Sequence, residues 1–204
     1  MVWHKDFPWM PSRSGYNISI ANNPSFLWYR VAKVGTRTIL QMLKELDIEL
    51  ESEHAMRCRY PVHQYDNHFK FAFVRNPWDR FVSAWLNKVV QSNYFGFQPT
   101  LHCELQRFDA FVDWAVLKSV DRCDHHLKSQ TRLIDMNHVE FIGRMEQFEA
   151  DVKLVFSALG LEPPQIPRKN TSGSIQHREY YDTRTKNLIG DFYQRDIRIL
   201  GYDF

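Results

Sequence analysis

Apolar runs of strand length alternate with segments of helical periodicity along much of the chain. The apolar runs lie at residues 26–32, 69–74 and 139–143, and the helical patterns that follow them lie at 36–46, 77–90 and 146–159. This alternation is typical of parallel strands that are joined by crossover helices. We therefore predict an α/β sandwich in which helices cover a buried, parallel β-sheet.

Local signals predict where several helices begin and end. Asn76 is a good N-cap because its side chain can accept from backbone N–H groups, and Pro77 suits the first helical position. Gly160 is expected to end one helix, and Asp182 is expected to cap the last one. A further helix is predicted over residues 104–119, where apolar side chains form one stripe.

The chain has 204 residues, which is long enough to bury a core without a disulfide or metal scaffold. Neither an internal repeat nor a shift in composition marks a boundary. We therefore predict one domain over residues 1–204, with residues 1–24 as an N-terminal extension. Residues 161–180 contain three prolines and are predicted to form a long surface loop.

Charge and cysteine content narrow the class of protein. Lys and Arg total 26 against 24 for Asp and Glu, a net charge of +2, which does not favour nucleic acid as a partner. The N-terminus has no apolar run of signal-peptide length, so we expect no membrane segment in this chain. Three cysteines without a close pair argue against a disulfide framework or a zinc ribbon. These features favour the cytoplasm.

A basic residue follows each of the three predicted strands: Lys33, Arg75 and Arg144. Ligands of open parallel sheets bind outside the carboxyl ends of the strands, so these side chains are expected to converge there. One interpretation is a site for an anionic ligand. The alternative is that each charge is solvated or paired at its strand end, which is common for single basic residues in loops.

The first of these turns contains the parts of a phosphate-binding loop. Lys33 precedes Gly35, which allows close backbone approach, and Thr36, Arg37 and Thr38 begin the predicted helix with N–H groups and hydroxyls. Arg37 could reach the same anion or point to solvent. The order differs from a Walker A loop, in which the lysine follows the second glycine.

The second turn is more specific. Residues 71–85 combine a strand, the sequence Arg75-Asn76-Pro77 and a serine, Ser83, eight residues after the arginine. About 10 Å of helix separates the strand end from this serine, so both side chains can flank a phosphate. This segment resembles the sulfotransferases that use 3′-phosphoadenosine 5′-phosphosulfate (PAPS). The resemblance implies that Arg75 and Ser83 bind the 3′-phosphate and that the Lys33 turn binds the 5′-phosphosulfate.

Later segments extend the resemblance to the carbohydrate (Golgi-type) branch of this family. Residues 141–146, 167–172, 180–182 and 196–202 resemble segments of those enzymes in order and spacing. The resemblance therefore covers about residues 25–203. It implies a three-layer sandwich like that of P-loop NTPases, PAPS as donor with adenosine 3′,5′-bisphosphate as product, and a hydroxyl acceptor that is a glycan. Arg144 is assigned to the same cofactor site because it follows the third predicted strand.

The resemblance implies roles in catalysis for a lysine and a histidine. Lys33 would stabilise the charge that develops on the leaving phosphate. His63 is the first candidate for the general base, since some glycan sulfotransferases carry a catalytic histidine at this position. His126 is the second, because the family segment that it resembles has a histidine followed by a glutamine, here Gln130, near the active site. No metal ion is predicted.

Several alternatives remain open. A zinc site at Cys123, His125 and His126 is not favoured because no second pair of ligands follows at a usual spacing. The chain could instead be a non-catalytic module that binds nucleotides or sulfated glycans, or a P-loop kinase. The aromatic loop at residues 92–97 could stack on a sugar, hold a phenol or form a dimer contact, so the acceptor and the oligomeric state are open.

Overall fold

A computed structural model describes residues 11–165 and 177–204. These residues form two compact units, a sheet unit (residues 11–74 and 133–165) and a helical unit (residues 75–132 and 177–204). The proposal of a single domain over residues 1–204 stays a prediction. Residues 1–10 of the predicted extension lie outside the described residues.

The sheet unit contains a five-stranded sheet with the order β3-β1-β2-β4-β5. The strands are β1 (Tyr16–Asn22), β2 (Ser25–Tyr29), β3 (Ser52–Cys58), β4 (Phe69–Val74) and β5 (Phe141–Arg144). β2, β4 and β5 are parallel neighbours, whereas β1 runs antiparallel to both β2 and β3. The α/β class and the three predicted strands are confirmed. The sheet is mixed rather than wholly parallel, because β1 and β3 add an antiparallel side.

The two strands that the apolar pattern missed lie next to each other. β1 falls within the predicted extension, yet six of its seven residues are buried. β3 reads Ser-Glu-His-Ala-Met-Arg-Cys and has no apolar run, so its pairing with β1 could not be predicted from its own sequence. Strand pairing supplies the hydrogen bonds here, and it joins residues that are distant in the chain.

The helices of the described residues follow the predicted pattern with some differences. They are α1 (Thr36–Glu45), α2 (Pro77–Trp85), α3 (Pro99–Leu105), α4 (Phe108–Val116), α5 (Gln130–Leu133), α6 (Phe148–Ala158), α7 (Thr183–Phe192) and α8 (Gln194–Leu200). Short 3-10 segments occur at Val62–Tyr65, Met145–Gln147 and His177–Tyr180, and a π-helical turn at Leu86–Val90 continues α2.

The predicted helix caps are confirmed. The Asn76 side chain accepts hydrogen bonds from the N–H groups of Trp78 (3.1 Å) and Asp79 (3.4 Å). Asp182 caps α7 through a capping box with Thr185, and Gly160 has a positive φ of 69° just after α6. These signals depend on residues within one turn of each other, so they can be recognised without tertiary information.

Two other predictions need correction or lie partly outside the described residues. The helix predicted over residues 104–119 is broken, because α3 ends at Leu105 and Arg107 adopts an extended backbone before α4. The predicted loop over residues 161–180 is described only at 161–165 and 177–180, and the latter residues form a 3-10 turn. The motif at residues 167–172 lies outside the described residues.

The helical unit has its own aromatic core. Phe81 and Trp85 of α2 pack with Phe108 and Phe111 of α4, with ring centroids 5.2–5.8 Å apart. Among the described residues, no helix combines the length and the apolar character that crossing a bilayer requires.

Candidate nucleotide-binding and catalytic site

The turn between β2 and α1 is built by unusual backbone conformations. Lys33 and Gly35 both have positive φ angles, 73° and 75°. A Cβ atom on Gly35 would lie 2.8 Å from Cε2 of Phe148 and 3.1 Å from Sδ of Met145, so the position has no space for a side chain. Gly35 is the N-cap of α1 and provides no side-chain cap. The N–H groups at this helix start therefore suit an anion.

The polar residues of this turn differ in their environment. The Thr36 hydroxyl donates to the carbonyl of Val31 (3.0 Å), so its hydrogen is used in a bond that stabilises the turn. Arg37 is exposed and Thr38 is buried. The roles of residues 33–38 in binding a cofactor stay predictions.

Strand order brings two of the three predicted basic residues to the same end of the sheet, where the parallel strands have their carboxyl ends. β2, β4 and β5 are parallel neighbours, so their carboxyl ends lie on the same side of the sheet. Lys33 follows β2, and Arg144 is the last residue of β5, where its N–H donates to Asp151 (2.6 Å). Both residues are half-buried.

Arg75 is the first residue after β4 and belongs to the helical unit. Its side chain is 11% exposed and makes a bidentate ion pair with Asp79, with Nε–Oδ2 at 2.7 Å and Nη2–Oδ1 at 2.9 Å. Its backbone is held as well, because Gln130 accepts from the Arg75 N–H (3.0 Å) and donates to the Arg75 carbonyl (2.8 Å). Both the direction of the guanidinium and the position of its backbone are therefore constrained.

A buried carboxylate supports Gln130 in turn. Asp196 is fully buried and accepts from the N–H groups of Gln130 (2.6 Å) and Thr131 (3.0 Å) and from the Ser129 hydroxyl (2.6 Å). The network from Asp196 through Gln130 to Arg75 joins α8 to the start of α2. Sequence reasoning missed Asp196 in this role, although it begins the motif at residues 196–202.

Ser83 lies half-buried in α2, one turn after Asp79. Residues four positions apart share a helix face. The side chain of Arg75, which is paired with Asp79, thus lies beside the face that carries Ser83. The sequence analysis did not predict this ion pair, although an acidic residue four positions after an arginine is a recognisable signal for one.

The first candidate base, His63, lies in the sheet unit. It belongs to the 3-10 turn Val62–Tyr65, and its Nδ1 is 3.2 Å from Oδ2 of Asp66. The Asp66 side chain is 60% exposed. A carboxylate this exposed is screened by water and holds a neighbouring histidine weakly.

The second candidate base, His126, lies in the helical unit and is 8% exposed. Its Nδ1 is 2.7 Å from Oδ1 of Asp124, and its backbone N–H donates to the same oxygen (2.9 Å). Rings of His125 and Tyr94 pack against it, with centroid distances of 4.0 and 4.8 Å. Burial lowers the pKa of His126 to about 4, with the Asp124 hydrogen bond opposing the shift. His126 is therefore neutral at neutral pH.

The same cluster is the candidate metal position. In the described part of the chain, Asp124, His125 and His126 offer ligand atoms within 4.8 Å of one another. Cys123 is not part of this group. Burial raises the pKa of its thiol to about 11, and its Sγ donates to the Val120 carbonyl. Although burial alone would raise it, hydrogen bonds with His125 and His126 hold the pKa of Asp124 well below its usual range. That the chain needs no metal stays a prediction.

Comparison with known proteins identifies the class. Residues 16–203 match the family described as Sulfotransferase family. The chain therefore belongs to the sulfotransferase family, as the motifs at Arg75 and Lys33 predicted.

Two curated relatives narrow the comparison. The chain is 25% identical over 160 residues to human (Homo sapiens) carbohydrate sulfotransferase 14 and 24% identical to the mouse (Mus musculus) protein of the same name. The match covers 67% of this chain and 42% of each relative, so the chain spans less than half of their length. No solved structure matches the chain significantly.

Proposed function

We propose that this chain transfers the sulfuryl group of PAPS to a hydroxyl group of a carbohydrate. Membership of the sulfotransferase family and the similarity to proteins named carbohydrate sulfotransferase support this proposal. The observation that carries it is the turn between β2 and α1. Its Gly35 has no space for a side chain, and the helix start that follows lacks a side-chain cap.

The residue types that follow β2 and β4 are those that a nucleotide with phosphate groups at both ends requires. Residues 33–38 would hold the 5′-phosphosulfate through backbone N–H groups and the Lys33 ammonium. Arg75 and Ser83 would hold the 3′-phosphate, with Arg144 as a further cation. Asp79 engages two of the five N–H groups of the Arg75 guanidinium, which orients the others.

PAPS supplies the sulfuryl group when it is bound. Transfer breaks the bond from sulfur to the phosphate oxygen and forms a bond from sulfur to the acceptor oxygen. Lys33 contributes a positive charge that stabilises the negative charge growing on the leaving phosphate oxygen. The proton of the acceptor hydroxyl must pass to a base that is unprotonated before the reaction.

We propose His126 as this base, ahead of His63. A neutral imidazole has one nitrogen that can accept a proton, and burial holds the His126 ring beside Asp124, whose charge favours the imidazolium that forms. Two hydrogen bonds to Asp124 hold its ring and its backbone. The carboxylate beside His63, at 3.2 Å, is 60% exposed and therefore holds the ring weakly.

The compartment and the acceptor belong to this proposal. All three cysteines are free, which suits the reducing cytoplasm that the sequence analysis predicted. The glycan acceptor rests on the names of the two relatives and on the resemblance.

Titration calorimetry tests the nucleotide. We expect adenosine 3′,5′-bisphosphate to bind without divalent metal and more tightly than ATP with Mg²⁺. The opposite order would overturn the proposal and favour a P-loop kinase. Transfer of labelled sulfate from PAPS to a panel of sugars, phenols and lipid alcohols tests the reaction, and tight nucleotide binding without transfer to any acceptor would favour a non-catalytic module.

A pair of histidine variants tests the base. His126→Ala should lower kcat by about 10²–10⁴-fold and leave the affinity for adenosine 3′,5′-bisphosphate unchanged, because a base contacts the acceptor. His63→Ala should transfer sulfate at near the wild-type rate. The reverse result would return the base to His63, the first candidate from the sequence.

A further inference from the structure

The backbone that carries His126 is unusually well fixed. The N–H groups of Leu127 and Lys128 donate to the Asp124 carbonyl at 2.9 and 2.8 Å, which closes one helical turn. Arg80 of α2 is fully buried and donates to the carbonyls of Lys128 (2.9 Å) and His125 (3.0 Å). A buried guanidinium with two carbonyl acceptors is costly to misplace, so this turn has one stable position.

The Asp124 carboxylate meets His126 at two points. Its Oδ1 accepts from the backbone N–H and also lies 2.7 Å from the ring Nδ1. An ionised carboxylate only accepts hydrogen bonds, so the ring nitrogen that contacts it must carry the proton. In a neutral imidazole the other nitrogen, Nε2, then has a free lone pair.

We propose that Asp124 is a positioning residue that holds His126 as the Nδ1-protonated tautomer, so that Nε2 is the atom that accepts the proton of the acceptor hydroxyl. The proposal rests on His126 being the base in the proposed function. The carboxylate does not take the transferred proton, which moves from the hydroxyl oxygen to Nε2 and leaves an imidazolium. Asp124 then stabilises this imidazolium through its negative charge.

Other groups around the ring act on its charge and orientation. His125 Nδ1 faces the second Asp124 oxygen at 3.6 Å, and the Lys88 ammonium lies 4.0 Å from the centroid of the Tyr94 ring. Lys88 and His125 disfavour a positive charge on His126, whereas Asp124 favours it. Among the four neighbours of the ring, Asp124 is thus the group that favours proton uptake by His126; the other three are His125, Lys88 and Tyr94.

Nitrogen NMR of the full chain tests the tautomer independently of activity. In protein labelled with ¹⁵N-histidine, long-range proton–nitrogen correlations at neutral pH should give a protonated Nδ1 and an unprotonated Nε2 for His126, assigned with His126→Gln. Asp124→Ala should convert the ring to a mixture or to the Nε2-protonated form. A wild-type ring protonated at Nε2 would overturn the proposal, whatever the activity.

Two variants separate positioning from a general effect on folding. In Asp124→Asn the backbone N–H of His126 can still hold the amide oxygen in the place of Oδ1. That oxygen can then also accept from the protonated Nδ1, so we expect the tautomer to persist without the negative charge. Asp121→Ala is the matched control, because Asp121 lies in the same loop but pairs with Arg132 (2.9 Å). It should leave the His126 tautomer unchanged, and a changed tautomer there would mean that the loop fold, rather than Asp124, controls it.

Kinetics complete the test. Asp124→Ala should lower kcat by about 10–100-fold with unchanged affinity for adenosine 3′,5′-bisphosphate. The acid limb of kcat/KM should move to lower pH, since the removed carboxylate raised the pKa of His126. An inactive His126→Ala beside a fully active Asp124→Ala would overturn this inference and leave the proposed function intact. A fully active His126→Ala would instead overturn the assignment of the base.

Discussion

The turn after β2 and the junction after β4 both carry a cation to the start of a helix, but they are built differently. The turn after β2 depends on the backbone, with positive φ angles at Lys33 and Gly35 and no side-chain cap on α1. The junction after β4 depends on side chains. Asn76 accepts from two N–H groups of α2, and Asp79 holds the Arg75 guanidinium.

This difference changes what each segment can offer to an anion. At the start of α1 no side chain caps the backbone N–H groups, so the helix itself can contribute to binding, although the Thr38 N–H already donates to the Gly35 carbonyl (2.9 Å). At the start of α2 the Asn76 side chain already uses two of these groups, and the binding energy must come from the guanidinium. Changes that restrict the backbone should therefore disturb the turn after β2 most. Changes of side chains should disturb the junction after β4 most.

The largest expected effect is the loss of rate when Lys33, the cation of the first segment, is removed. Lys33→Ala should lower kcat by about 10²–10³-fold, on the order of 3–4 kcal/mol, because the lysine charge acts most strongly in the transition state. The loss of affinity for adenosine 3′,5′-bisphosphate should be smaller. Single-turnover kinetics and calorimetry measure the two quantities. Lys44→Ala, which removes an exposed lysine of α1, is the control. Equal losses of rate and affinity in Lys33→Ala would contradict the catalytic role.

Gly35→Ala tests whether the backbone is decisive in this segment. Adding the methyl group should lower the free energy of unfolding by about 3 kcal/mol, from strain at positive φ and from crowding against Phe148. Gly160→Ala is the matched control, because Gly160 has a similar φ of 69° and no atom within 4 Å of the added Cβ. It should cost about 1 kcal/mol. Urea denaturation measures both, and equal losses would show that crowding is unimportant.

Arg75→Ala tests the second segment. It should weaken binding of adenosine 3′,5′-bisphosphate by about 2–3 kcal/mol, because a charged contact is lost in the ground state and the transition state alike. The value of kcat at saturating nucleotide should change less. Calorimetry measures this affinity. Arg107→Ala, which removes an exposed arginine paired with Asp109, controls for the change in net charge. Unchanged affinity in Arg75→Ala would refute the assignment of the 3′-phosphate site.

The smallest expected effect is that of changing Gln130, which holds the backbone of Arg75. Gln130→Ala removes both hydrogen bonds to the Arg75 backbone and should weaken nucleotide binding by about 1 kcal/mol. In the Arg75→Ala background the same change should have no further effect on affinity, because Gln130 acts through Arg75. Additive losses in this double-mutant cycle would mean that Gln130 contacts the nucleotide or acts by another route.

Some elements could be predicted because their signals are local. The start of α2 at Asn76 and Pro77 depends on groups within one turn, and so does the Asp182 cap of α7. β2 and β4 are apolar runs of strand length, and this pattern is sufficient for a buried strand. β3 was missed because its partner β1 is remote in the chain and its own residues are mostly polar. β1 pairs with the adjacent β2 and begins with alternating polar and apolar residues, so its signal was local and the search for continuous apolar runs overlooked it.

The candidate site divides in the same way. Lys33, Arg75, Ser83 and His126 could be selected from motifs and spacing alone. Their supporting residues could not, except for Asp79, whose spacing of four from Arg75 is a local signal. Asp196 reaches Gln130 from a helix more than sixty residues away in the chain.

The α/β class, the sulfotransferase motifs and the basic residues at the strand ends could all be predicted from the amino-acid sequence. These follow from residue types and from spacings within single segments. The tertiary structure decided that the sheet is mixed, that Arg75 is held by Gln130, and that His126 is buried beside Asp124 while the carboxylate beside His63 is exposed. Burial and hydrogen-bond partners depend on which distant segments pack together, and they in turn determine how firmly each histidine ring is held.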